Sequence, residues 1–417
     1  MGVTELKREA DAVVIGSGAL GASSAFWLAH NGLDVVLLDK FELASQTSPR
    51  AAGLSQQVQV DDVLAGLAIR GIEALRGFRG LTGETLDVVV NGGIKVARTE
   101  EDAAQLRDEV RRGQALGVDI REVPAGEAEE LVPWLSVASA VALSHVRGDT
   151  YIEHPGDLPR AFIRALERLG GTAAGHAEVT GVVREGSQVT GVLTPLGSIA
   201  TPIVVDAAGA WSRIVGDLVD FRIPLCPIRH QVCITEPLAE VQPTHPTVRV
   251  MDARVYVRPA GGGLMFGAYE ADPMLVDPRH QRPGFQVSDV DWDLRPLRAK
   301  MDEVASELPI FRGAPIAELR GGLPTMTPDG HFIVDRLPGL DGFFVASGCN
   351  VGGLSISPAL GEDLARWIAG GGQRPVTLEA HRVDRFAAKF DDDEVLRSAC
   401  RATYAHKYGL DEVTAPA

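Results

Sequence analysis

Apolar positions first become continuous at Asp11 to Ile15 (DAVVI), a run short enough to read as a buried strand. Gly16-Ser17-Gly18-Ala19-Leu20-Gly21 follows directly, then a helical stretch from Ala22 to Asn31. A second apolar strand, Asp34 to Leu38, ends in Asp39-Lys40. Two more buried strands lie far downstream. Ile203 to Gly209 runs into Ala210-Trp211-Ser212, and Phe343 to Ala346 runs into Ser347-Gly348-Cys349-Asn350-Val351-Gly352-Gly353-Leu354 and a helix from about Ser357 to Ala369. Between them the pattern alternates. Gln188 to Leu196, Pro224 to Thr235, Val248 to Pro259 and Gly263 to Tyr269 read as strands bounded by Pro and Gly clusters, with a helix from about Val290 to Leu308. An excursion from Asp87 to Ser144 adds strands and a helix, Glu101 to Leu116, whose alternating charges make it a solvated face.

The first strand, glycine turn, helix and second strand make a complete βαβ unit. Gly16 permits the tight turn, Gly18 lets backbone amides approach a pyrophosphate, and Gly21 lets helix and strand pack closely. Unpaired N–H groups at the helix start favour an anion there. Asp39 stands where a ribose hydroxyl would be bound. The unit specifies a dinucleotide without deciding between NAD and FAD. Glycine-rich junctions at both ends of the chain imply one extended ligand touched by distant segments.

Composition narrows the partners. A net charge of −16 over 417 residues repels phosphate backbones and anionic lipid, so neither nucleic acid nor a membrane is expected as a partner. The four cysteines, Cys226, Cys233, Cys349 and Cys400, form no CxxC pair, so no disulfide framework and no metal site are expected. The polar, mixed-charge start MGVTELKREAD has no apolar segment behind it, and the expected location is the cytoplasm.

Across about residues 11 to 370 the chain resembles the FAD-dependent amine oxidoreductases of the D-amino-acid oxidase superfamily, nearest the sarcosine and dimethylglycine oxidase/dehydrogenase branch. The landmarks are VVIGSGALGASSAFWLAHNGLDVVLLDK at 13–40, AAGL at 51–54, VVDAAGAWS at 204–212, PIRHQVCITEP at 227–237, RVYVRPAGGGLMFGAYE at 254–270, TPDG at 327–330 and GCNVGGLSISPALG at 348–361. The resemblance implies an α/β fold, a Rossmann-like FAD-binding domain (1–86, 148–222 and 321–375) interleaved with an α+β substrate domain on a mostly antiparallel sheet (87–147 and 223–320), and a C-terminal tail (376–417). It implies FAD held by Gly16, Ser17, Gly18, Ala19 and Gly21 at the pyrophosphate and by Asp39 and Lys40 at the ribose. Ser48, Arg50, Ala51, Ala52, Gly53 and Leu54 would lie along the cofactor, Val179 would meet the adenine, and Ala208, Gly209 and Trp211 would pack nearby. Gly348, Asn350, Val351, Gly352, Gly353 and Leu354 would pass beneath the pyrimidine end of the isoalloxazine. Covalent relatives carry a histidine just before the AAG-like segment. Here Arg50 stands there, so the FAD is expected to be dissociable.

His230 and Tyr256 match a histidine and a tyrosine of the branch's substrate pocket, and they are the expected catalytic pair. If no bulge intervenes, Arg258 shares a strand face with Tyr256 and is a candidate for binding a substrate carboxylate; Arg50 and Arg320 are further ones. Asp329 reads as a turn former. The implied reaction oxidises a small secondary or tertiary amine, with N-methyl amino acids as the expected class. Hydride passes to flavin N5 and water hydrolyses the iminium, while O2 or another acceptor reoxidises the flavin. The branch's folate-binding extension has no counterpart after Ala369, so formaldehyde is expected to be released. An FAD dehydrogenase of a 2-hydroxy acid or D-amino acid, a non-catalytic FAD-bearing scaffold and an NAD-dependent dehydrogenase remain as alternatives.

Overall fold

The computed structural model describes residues 6–406. Its centre is a six-stranded sheet in the order Ile333–Arg336, Phe343–Ser347, Val204–Asp206, Ala12–Ile15, Val35–Leu38, Thr172–Ala174. All neighbours are parallel except the outer pair, Ile333–Arg336 on Phe343–Ser347. The strands Ala12–Ile15 and Val35–Leu38 are buried throughout, as parallel strands covered on both faces must be. The first helix, Ala19–His30, is buried from Ala19 to Ala29. Its small residues let it sit among the helices Gly353–Ala369, Asp62–Arg76 and Asp157–Arg168 in one apolar core.

A second, eight-stranded sheet takes strands from two separate stretches. Its order is Ile316–Gly322, His230–Thr235, Gly263–Ala268, Val255–Ala260, Thr247–Val250, Gly93–Ala97, Ala142–Val146, Ile120–Glu122. It is antiparallel except where Thr247–Val250 meets Gly93–Ala97. Among the described residues no helix is long and apolar enough to cross a membrane, and no cluster of side chains could hold a metal ion.

Several elements differ from the sequence reading. Val248 to Pro259 is a hairpin of Thr247–Val250 and Val255–Ala260, turned at Met251–Arg254 with Arg254 at φ 56°. Pro224 to Thr235 is also divided: Cys226–Pro227 pairs with Thr325–Met326, and only His230–Thr235 joins the large sheet. Gln188–Thr194 belongs to a separate three-stranded sheet with Gly181–Glu185 and Gly197–Ala200. The helix expected over 290–308 is shorter, Leu294–Glu303, because the Asp293 carboxylate caps it by accepting from the Arg295 N–H. The stretch after 375 contains a helix, Asp393–Ala405, packed on Cys226–Pro227 and Thr325–Met326; residues 407–417 lie outside the described ones.

Candidate active site

A deep cavity, lined by residues of both sheets, starts at the glycine turn after Ala12–Ile15. Gly16 has φ 99°, and a Cβ on Gly21 would sit 1.8 Å from the Gly16 carbonyl oxygen. No side chain larger than hydrogen fits that contact, so strand and helix meet there only through glycine. The first helix has no side-chain cap bond at Gly18, and the Ala19 N–H donates to Ser48 Oγ at 3.0 Å. Asp39 ends the second strand and accepts at Oδ2 from the Ser17 N–H (2.8 Å) and hydroxyl (2.5 Å), and at Oδ1 from the Phe41 N–H (2.8 Å). Burial raises its pKa despite those bonds. Oδ2 is filled by its two bonds, while Oδ1 keeps acceptor capacity for a further partner.

The cavity's other end is built from side chains. His230 Nε2 lies 2.7 Å from the Tyr256 hydroxyl, and Nδ1 lies 2.6 Å from the Tyr404 hydroxyl. Burial alone pushes His230 down to about 4, so the imidazole is neutral at pH 7. Tyr256 faces Gly267 on the next strand, where a Cβ would come within 2.2 Å of the phenol ring. On its other side Tyr256 is in register with Arg249, whose guanidinium lies 5.6 Å from the ring centroid, and Arg249 is in turn in register with Lys95. His230, Tyr256, Arg249 and Tyr269 all line the cavity.

The same cavity is also lined by Asn350-Val351-Gly352-Gly353-Leu354. Asn350 and Val351 have φ of 43° and 70°. A β-branched residue in the left-handed region is strained, and such strain persists where the surroundings fix it. Here the buried Asn350 side chain donates to the Gly348 carbonyl (2.7 Å) and accepts from the Thr327 N–H (3.0 Å). The helix Gly353–Ala369 begins with no side-chain cap, so its first amides are left for another acceptor.

Residues 11–367 match the family described as FAD dependent oxidoreductase. The chain belongs to that family. It is similar to human mitochondrial sarcosine dehydrogenase (29% identical over 97% of this chain and 44% of that protein). It is also similar to the formaldehyde-forming 4-methylaminobutanoate oxidase of Paenarthrobacter nicotinovorans (30% identical over 95% of this chain and 48% of that protein). The chain therefore spans less than half the length of these relatives. Its fold is that of L-proline dehydrogenase from P. horikoshii, with a TM-score of 0.82 at 24% identity over 92% of this chain and 99% of the other.

The residues present fit the family's FAD: a side-chain-free cradle at a helix start, an acid at the second strand's end, and a second uncapped helix start across the cavity. Most residues expected along the cofactor line this cavity: Ser17, Lys40, Arg50, Ala51, Ala52, Gly53, Leu54, Val179, Ala208, Gly209 and Trp211 join those already described. Two do not. Gly21 packs beneath Gly16, and Gly348 sits behind the loop, where its Cβ would meet Thr327 Cγ2 at 2.6 Å.

Arg258 requires a correction. It is fully buried and does not line the cavity. Its guanidinium donates to the carbonyls of Ala52 (2.6 Å) and Pro259 (2.5 Å) and to Glu153 Oε2 (3.1 Å), and it lies 4.5 Å from the Tyr151 ring centroid. With its donors engaged there, Arg258 supports the loop at Ala51–Gly53 from behind. Arg249 is the arginine beside Tyr256, and reading 248–259 as one strand hid it, because only the hairpin folds it back. Arg320 does not line the cavity, and Asp329 pairs with Arg385 at 2.7 Å. Tyr404 was also missed, since no local pattern ties position 404 to position 230.

Proposed function

We propose that the chain oxidises the C–N bond of a small secondary or tertiary amine that carries a carboxylate, an N-methyl amino acid being the type. The observation that carries this reading is the corner of Arg249, Tyr256 and neutral His230 lining one cavity together with the Asn350–Leu354 loop. Backbone amides after Gly16 would hold the FAD pyrophosphate, Asp39 the ribose, and Val179 the adenine side. The amides at Val351–Leu354 would favour negative charge at the pyrimidine end. Bound there, FAD supplies a two-electron acceptor for the C–H next to nitrogen.

Arg249 would grip the substrate carboxylate with a charge-assisted pair, fixing one end of the molecule. The Tyr256 hydroxyl would orient the amine end, leaving the reacting carbon little freedom. A neutral imidazole at His230 adds no positive charge beside a nitrogen that becomes cationic as the C–H bond is lost. Water would then hydrolyse the iminium to an amine and an aldehyde. Retention of FAD would be non-covalent: Arg50 occupies the position of the attaching histidine, and its guanidinium donates to the carbonyls of Ser45 and Gln46. Acid precipitation should leave the yellow colour in the supernatant.

Anaerobic titration of the FAD-loaded protein with sarcosine, dimethylglycine and longer N-methyl amino acids tests the reaction. Bleaching of the flavin by one or more of them, but not by 2-hydroxy acids, supports it. Bleaching by 2-hydroxy acids alone, or by none of these compounds, overturns it.

A further inference from the structure

The helix Asp393–Ala405 lies beyond the family match at 11–367, yet it contributes directly to the catalytic corner. It is tied down along its length. Asp393 accepts from Arg213 at 2.7 Å, Cys400 Sγ donates to the Met326 carbonyl at 3.2 Å, and the Thr403 hydroxyl donates to the Pro328 carbonyl at 2.8 Å. The Ala405 carbonyl accepts from Arg254, at the turn of the hairpin that carries Arg249 and Tyr256. These ties bring Tyr404 against His230 and Tyr269, at ring-centroid distances of 5.7 and 5.2 Å.

We infer that Tyr404 is a positioning residue: its hydroxyl fixes His230 in the Nε2–H tautomer, so that the Tyr256 hydroxyl accepts from His230 and its own proton is directed away from it. The direction follows from donor and acceptor counting. Tyr404 is fully buried, and a buried O–H needs an acceptor. The acceptor it meets is His230 Nδ1 at 2.6 Å. Burial holds the phenol's pKa well above its ordinary value, so it keeps its proton. A neutral imidazole has one N–H and one lone pair. With Nδ1 accepting, the proton sits on Nε2 and is donated to the Tyr256 oxygen 2.7 Å away. The Tyr256 proton therefore cannot be spent on His230. Tyr256 itself lines the cavity. This inference rests on the proposed roles of His230 and Tyr256 in amine oxidation.

The test is histidine ring 15N NMR on the FAD-loaded protein, with the His230 signals assigned by their loss in H230N, alongside anaerobic flavin reduction by a bleaching amine. The expected result is a protonated Nε2 and an unprotonated Nδ1 for His230 in the unaltered protein. In Y404F that pattern should shift toward the other tautomer, and flavin reduction should slow by about tenfold while FAD stays bound. A protonated Nδ1 in the unaltered protein, or no tautomer change in Y404F, overturns the inference. The tautomer result stands without any turnover. If it comes out as expected while H230N and Y256F reduce flavin at the unaltered rate, the positioning role is upheld and the catalytic reading fails. If those two variants are slow but Y404F changes neither tautomer nor rate, the catalytic reading stands and the inference fails.

Discussion

The two ends of the cavity are made in different ways. The nucleotide end is a backbone site: glycines at 16, 18 and 21, amides at a helix start, and one acid at a strand end, all within 24 consecutive residues, 16–39. The other end is a side-chain site: Arg249, Tyr256, His230 and Tyr404 come from three strands of one sheet and a helix, Arg249 meeting Tyr256 through cross-strand register and His230 meeting Tyr256 and Tyr404 through side-chain hydrogen bonds. A site built from backbone depends on what is missing at each position, while a site built from side chains depends on what stands opposite. The first should fail through loss of space and the second through loss of a partner.

Arg258 offers the sharpest break in that comparison, because it sits on the strand that carries Tyr256 but serves the loop of the nucleotide end. R258M leaves Glu153 without its buried partner and the Ala52 carbonyl without its donor. It should cost about 3–5 kcal/mol of unfolding free energy. Urea unfolding of the purified variant measures this. A fall in stability with KM for amines within about threefold (about 0.6 kcal/mol) separates support from substrate binding; unchanged stability with a large rise in KM would return Arg258 to the substrate.

The two ends also respond to pH with opposite sign. His230, pushed down to about 4, is neutral when folded and takes up a proton on unfolding below 6.5, so its contribution to stability is lost as pH falls from 6.5 to 4. Asp206, in the strand beside the glycine turn, is fully buried with Oδ2 unpartnered and is pushed up to about 7. It holds its proton when folded, so its contribution is lost as pH rises from 3.8 to 7. The first amounts to about 3 kcal/mol and the second to about 4 kcal/mol across its window. D206N should therefore lose the gain in stability that acidification gives the unaltered chain, and H230N should lose the opposing penalty. Unfolding free energies at intervals from pH 4.5 to 7 would show the two variants diverging from the parent in opposite directions.

How much of each end could be read from the chain follows the same division. The strand, the glycine spacing and Asp39 are neighbours in sequence, so the βαβ unit was legible and most of the residues assigned to it line the cavity. Gly348 was assigned through the resemblance at 348–361, and its place behind the loop depends on packing against Thr327. At the side-chain end His230 and Tyr256 were singled out by resemblance and both line the cavity, but alternation along a strand pointed to Arg258 instead of Arg249. A turn at Met251–Arg254 contains no Gly or Pro to announce it, and without the turn the cross-strand pair is invisible. The corrected pair makes its own prediction. R249M should raise KM for a carboxylate-bearing amine by roughly 10- to 100-fold, the equivalent of about 1.5–3 kcal/mol for a charged hydrogen bond. Its effect on an amine lacking the carboxylate should be slight, and steady-state kinetics on both compounds checks this. Equal loss on both would mean that Arg249 shapes the sheet rather than the substrate.

The smallest expected effect falls on the loop that joins the two ends. Ser48 Oγ accepts from the Ala19 N–H at 3.0 Å, on the first turn of the nucleotide helix. One residue earlier, Thr47 Oγ1 accepts from the Leu323 N–H at 3.1 Å, just past the end of the catalytic sheet's strand Ile316–Gly322. Removing either hydroxyl deletes one bond to a backbone amide, worth about 1 kcal/mol, but from opposite sides of the same loop. S48A frees an amide beside the pyrophosphate cradle and should weaken FAD retention about fivefold, an effect of about 1 kcal/mol. T47V leaves the cradle untouched and should spare FAD affinity while loosening Gly322 and Leu323 next to His230, with which Gly322 is in register. Titration of apoprotein with FAD, followed by protein fluorescence quenching, distinguishes the two variants. If both weaken FAD equally, the loop acts as one rigid piece and the division between the two ends does not extend through it.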